Sequence, residues 1–174
     1  MTTTRIFTAA TLLMAGTGAF AQSGATATQT ASAKCKLIYP ITLTKNTDLN
    51  FGTIAVTSGG SGTLVANPIA GTFNPTALGV VPVDIGTQAF AAFTVGGEAT
   101  YVYTITPQAG DATLTNGAGT MTVSAFTASK ATGTIGAGTP GTDTFTVGGT
   151  LNVTAAATIY GNYTGTFTVT VAYQ

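Results

Sequence analysis

Phe167-Thr168-Val169-Thr170-Val171-Ala172-Tyr173, the run just before the final Gln174, alternates large apolar side chains with small or polar ones at every step. A period of two is the spacing of a β-strand, which sends successive side chains to opposite faces. Phe167, Val169, Val171 and Tyr173 therefore share one face, and Thr168, Thr170 and Ala172 the other. Working back toward the N-terminus, the same reading predicts strands over residues 36–43, 49–56, 63–66, 78–85, 89–95, 100–106, 120–126, 142–147 and 150–154. Turn signals separate them: Ser58-Gly59-Gly60-Ser61-Gly62, Asn74-Pro75, Gly96-Gly97, Asn116-Gly117, Thr139-Pro140-Gly141, Gly148-Gly149 and Gly161-Asn162. No window carries an apolar stripe at helical spacing. About ten short strands predict an all-β fold, an antiparallel β-sandwich. Gly-Thr dipeptides recur at irregular intervals, which excludes a β-solenoid.

Composition narrows the function. Thr supplies 40 of the 174 residues and Gly 23, while charged side chains make up only 6%. Thr suits such strands, because its β-branch stiffens χ1 and its hydroxyl wets an exposed face. The chain has no His and no Trp, so it holds neither a histidine-based nucleophile site nor a His-containing zinc site. Five basic residues are too few to neutralise the phosphates of a nucleic acid. The carboxylates Asp48, Asp84, Glu98, Asp111 and Asp143 lie 36, 14, 13 and 32 residues apart, without the spacing of a metal loop. The reading is therefore of a protein without catalytic, cofactor or metal site. Tyr101 and Tyr103 share a strand face and are expected in core or rim packing.

The N-terminus reads as an export signal. Residues 1–21 combine Arg5, an apolar stretch containing Leu12-Leu13-Met14, and the small-x-small pattern Ala19-Phe20-Ala21. The apolar part is too short to cross a bilayer, so no transmembrane segment is expected after cleavage. The destination is the periplasm, the outer-membrane surface or the exterior. Four lysines then face five carboxylates, a single net negative charge that does little to oppose self-association.

Residues 22–34 form an extended N-terminal segment ahead of a domain over 35–174. Ala25, Ala27, Ala31 and Ala33 fall on one parity, and Thr26, Thr28, Thr30 and Ser32 on the other. Two readings stand, a disordered tail or a strand able to add to a sheet edge. Cys35 shares its parity with Leu37 and Tyr39 and reads first as a small buried hydrophobe. The alternatives are an intermolecular disulfide, feasible after export, and a thiol activated by Lys34 and Lys36.

Tyr39-Pro40-Ile41-Thr42-Leu43-Thr44 and Thr47-Asp48-Leu49-Asn50-Phe51-Gly52-Thr53-Ile54 resemble the opening of a family of small exported bacterial proteins, known as domain of unknown function 4402. Ala91-Ala92-Phe93-Thr94-Val95-Gly96-Gly97, Val147-Gly148-Gly149-Thr150-Leu151 and the stretch from Gly161 to Tyr173 fit the same pattern. The last stretch also resembles the end of chaperone–usher pilin subunits, with a penultimate Tyr173 and with Gly161 thirteen residues before Gln174. That resemblance implies an immunoglobulin-like, pilin-like sandwich lacking one strand. Phe167, Val169, Val171 and Tyr173 would line the resulting apolar groove, with Gly161 ahead of them. A periplasmic chaperone, delivering to an outer-membrane usher, would fill the groove first. The N-terminal extension of the next subunit, here residues 22–33, would fill it afterwards.

The leading expectation is thus a structural protein of the cell surface, a pilin-like subunit or matrix component assembling by strand addition. A monomeric module with a closed sandwich, binding a glycan or surface ligand, is the alternative. An enzyme is the reading with least support.

Overall fold

The computed structural model describes residues 24, 26–57, 60–76, 79–154 and 159–174. The chain divides into two compact units, Met1–Cys35 and Lys36–Gln174. In the first, residues 24 and 26–35 are exposed and belong to no helix or strand. The export signal read at residues 1–21 lies outside the described residues.

The second unit is built from antiparallel strands, and its described residues contain no helix. In chain order the strands are β1 (Thr42–Thr47), β2 (Thr53–Val56), β3 (Gly62–Asn67), β4 (Thr72–Pro75), β5 (Val80–Asp84) and β6 (Ala91–Gly97). They continue as β7 (Val102–Pro107), β8 (Ala112–Thr115), β9 (Thr120–Ala128), β10 (Thr132–Thr134), β11 (Gly141–Val153) and β12 (Val169–Tyr173). The expected all-β sandwich is the fold observed.

β11 is its spine. One edge pairs with β6 over Gly141 to Val147 and then with β3 over Thr150 to Val153. The opposite edge takes β9 between Val147 and Asn152. β1 lies outside β6, β4 outside β3 and β8 outside β9. A second sheet, β10-β7-β12, and a two-stranded ribbon, β2-β5, complete the unit.

Because residues of one parity in a strand face the same way, β11 feeds two cores from one face. Phe145 and Val147 join Phe93 and Val95 of β6 and Tyr103 and Ile105 of β7, filling the space between the two larger sheets. Leu151 and Val153 join Leu64, Val80 and Val123 under the β2-β5 ribbon. Leu49 and Phe126 pack against both clusters.

The two sheets are stitched together along one flank, and elsewhere the described residues add the backbone pair of Thr115, at the end of β8, with Thr164 of the chain leading into β12. Residues 129–136 hydrogen-bond to β11 on one side, where Ser129 N donates to Thr146 O and Gly136 N to Thr142 O. On the other side they bond to β7, through the β10 pairing and through Ile105 N to Ala131 O. On the opposite flank β1 and β12 are the outermost strands of their sheets. Among the described residues neither has a strand on its outer edge.

Several features differ from the sequence reading, the expected Asn74-Pro75 turn among them, since both residues lie in β4. The first strand starts at Thr42 and not at residue 36, because Tyr39 is bonded to side chains and Pro40 has no N–H to give a ladder. β4, β8 and β10 were not expected; they are only three or four residues long, too short to show a period. Gly96-Gly97 ends β6 instead of forming a turn. Gly148-Gly149 lies inside one continuous strand, where the sequence reading breaks 142–147 from 150–154. Neighbouring chains come so close there that a Cβ on Gly149 would sit 3.0 Å from Val123 Cγ1 and 3.2 Å from Phe126 Cδ1. Glycine in a strand interior marks this kind of close approach as well as turns.

Candidate functional site

The open flank carries a cleft of about 630 Å³. Its rims are the end of β1 with the chain just after it, Lys45 to Phe51, and the chain leading into β12, Tyr163 to Val169. Its floor is apolar, formed by Ala91, Phe93, Leu114, Val123 and Phe126. Since Phe93 belongs to the first core and Val123 to the second, the cleft opens onto the seam between the two. The ion pair of Lys45 with Asp48 on the rim is well exposed on both partners and worth little energetically.

Phe126 reaches this floor because of a bulge. Opposite β11, Ser124 faces Thr150 and Thr127 faces Gly148, so Ala125 and Phe126 share the single position of Gly149. Ala125 takes up the extra residue with φ of 50°. One extra residue reverses the facing of every later side chain in the strand. Phe126 thereby joins Val123 on the inner side and stacks on Phe167, with centroids 4.6 Å apart.

The far end of the same flank is tied shut by side chains. The Tyr173 hydroxyl accepts from Glu98 N at 2.8 Å and donates to Tyr39 O at 2.8 Å. Tyr39 N donates to Glu98 Oε2 at 3.3 Å. Lys36 Nζ lies 3.3 Å from Glu98 Oε1, donates to Tyr101 Oη at 3.4 Å and sits 4.9 Å from that ring's centre. The Tyr101 hydrogen bond first, and then Glu98, hold the Lys36 ammonium above its ordinary range. Tyr101 meets Tyr173 edge to face at 5.7 Å. β1 starts at this tied end, where Thr42 pairs with Gly96, and runs toward the cleft. β12 runs the other way, from Val169 at the cleft to Tyr173 at the tie.

Of the residues singled out in the sequence, Phe167 and Val169 line the cleft. Val171 and Tyr173 continue the same face of β12, half-buried against the first core. Gly161 stands apart from them, exposed, with φ of 153° beside the Asn116 side chain. Cys35 is exposed and free, and Leu37 and Tyr39 are exposed as well, so their shared parity does not mark a buried face. Tyr103 is fully buried and Tyr101 packs at the rim, as expected of a core and rim pair. Sequence reading missed Phe93, Phe126 and Glu98 as parts of this flank. For Phe126 the available signal was Gly149, a strand glycine misread as a turn.

An antiparallel β-sandwich with one flank stitched by backbone hydrogen bonds and the other left open over an apolar cleft is the class this chain defines. The chain belongs to the family described as domain of unknown function (DUF4402), whose model matches residues 41–173. No curated protein and no solved structure matches it.

Proposed function

We propose that this is a non-catalytic, exported structural protein of the bacterial cell surface, a pilin-like subunit or matrix component whose copies assemble by β-strand addition. Residues 22–33 of one copy would supply the strand missing between β1 and β12 of another. The observation that supports this reading is the open flank itself, with two outermost strand edges bordering an apolar cleft at the seam of both cores. A row of unpaired N–H and C=O groups is a template for a further strand. Added there, main-chain hydrogen bonds supply affinity and alternate side chains enter the cleft.

The proposed donor suits the place chemically, since residues 22–33 carry no charge to desolvate against Phe93, Phe126 and Phe167. An edge of this kind invites misassembly before delivery, which is where a periplasmic chaperone and an outer-membrane usher enter the same reading. Light scattering after size exclusion, with negative-stain microscopy, on residues 22–174 exported to a periplasm tests it. The expected result is filaments or a ladder of oligomers that resists detergent until boiled, lost when residues 22–33 are deleted. A deletion variant that still polymerises overturns the reading. A clean monomer of the undeleted chain also overturns it and favours a module binding a surface ligand.

A further inference from the structure

The tie at the far end of the flank is more than a packing detail. Residues 36–39 are the root from which the N-terminal arm departs, and they are held almost wholly by side chains. Glu98 binds both Lys36 and the Tyr39 N–H, while the Tyr173 hydroxyl binds the Tyr39 carbonyl. We infer that Glu98, Tyr101 and Tyr173 form a latch that keeps a copy's own arm out of its own cleft and commits that arm to a second copy. This inference rests on the strand-addition reading above.

What blocks self-closure is that the backbone groups it needs are already occupied. β1 leaves the latch and runs toward the cleft. The simplest way for a copy to fill its own gap is a hairpin, with the residues before Pro40 folding back beside β1. Such a hairpin would draw on the main-chain N–H and C=O of Tyr39, and the latch holds both. An arm from another copy needs neither group of this Tyr39 and meets no such restriction. The latch residues come from β6's end, the turn into β7 and β12, so the root forms only once both sheets have docked. Self-closure is therefore blocked in the folded subunit, while the arm stays available.

The test uses the full exported chain. Tyr173→Phe keeps the ring against Tyr101 and the core but removes the hydroxyl that joins Tyr39 to Glu98. Glu98→Ala removes the acceptor for Lys36 and for Tyr39 N–H. Each variant removes one hydrogen bond to the Tyr39 backbone, which changes the balance by about fivefold, so both should raise the ratio of monomer to polymer by about that factor, with unchanged strand content by circular dichroism. Glu98→Gln, which retains an acceptor, should restore most of the polymer. The paired control is Ala27→Pro with Ala31→Pro, which strips donors from the arm itself. Latch variants that polymerise as the parent does, beside a monomeric proline variant, overturn the latch and leave strand addition standing. A proline variant that polymerises normally overturns strand addition, and the latch falls with it.

Discussion

Asp143 shows how one polar side chain can be tolerated on the inner parity of β11. Its Oδ2 accepts from Tyr103 Oη at 3.0 Å and from Lys130 Nζ at 2.6 Å, and its Oδ1 accepts from Thr144 N at 2.7 Å. The Tyr103 bond runs from β7 to β11 and so ties one sheet to the other. Burial pushes the Asp143 carboxyl upward, but the bonds from Lys130, Thr144 and Tyr103 outweigh it and leave the group below its ordinary 3.8. The folded state thus holds this carboxylate ionised where the unfolded chain would protonate it. The stability it contributes is complete above pH 3.8 and is lost as the pH falls through the lowered value. Tyr103 goes the other way: burial, and then the Asp143 hydrogen bond and charge, raise its hydroxyl well above 10.0. Its share of stability is complete below pH 10.0 and is lost as the pH rises past it. Tyr103→Phe should cost about 1 kcal/mol at neutral pH and flatten the alkaline decline in denaturant midpoint. An alkaline limb as steep as the parent's would exclude Tyr103 as its source.

At the scale of elements, β11 and β9 together build the cleft floor. The 13-residue β11 is long enough to serve two cores, and its glycines at 148 and 149 admit neighbours on both sides. Gly148 lies against the Ala66 carbonyl and Pro68, and Gly149 against Val123, Phe126 and Ser124 O. Any side chain at 149 would push the β9 bulge outward and with it Phe126. Gly149→Val should cost about 2 kcal/mol through overpacking and loosen the Phe126–Phe167 stack, lowering the melting temperature and the near-ultraviolet aromatic signal together. A variant with the parent's melting curve would show that the bulge does not depend on this glycine. The same pair of elements shows where sequence reading stops. Alternation in 120–126 and 142–147 marks both strands, yet the inserted residue that turns Phe126 inward is a matter of two chains in register, which neither chain records alone.

For the molecule as a whole, charge plays almost no part in the proposed assembly. Residues 22–174 carry four lysines and five carboxylates, and six of these nine side chains already pair within the fold: Lys36 with Glu98, Lys45 with Asp48 and Lys130 with Asp143. Polymer length should therefore stay unchanged between about 0.05 and about 1 M salt, a range over which the screening length falls several-fold. Light scattering across that series checks it, and dissociation at high salt would mean that charged contacts join the copies.

The all-β class, the alternating faces of most strands and the inward set Phe167, Val169, Val171 and Tyr173 were written in the amino-acid sequence, because period-two patterning is a local property of each strand. The poverty of charge and the absence of His were equally plain, and they set the limits on chemistry before any fold was known. The open flank, the cleft at the seam of two cores and the latch on residues 36–39 were decided only by the tertiary structure. Each depends on which strands end up outermost and which side chains meet across 40 to 134 residues of chain, as Tyr103 meets Asp143 and Tyr173 meets Tyr39. Strand order and such long-range meetings come from how whole faces bury one another, and no window of sequence contains that balance.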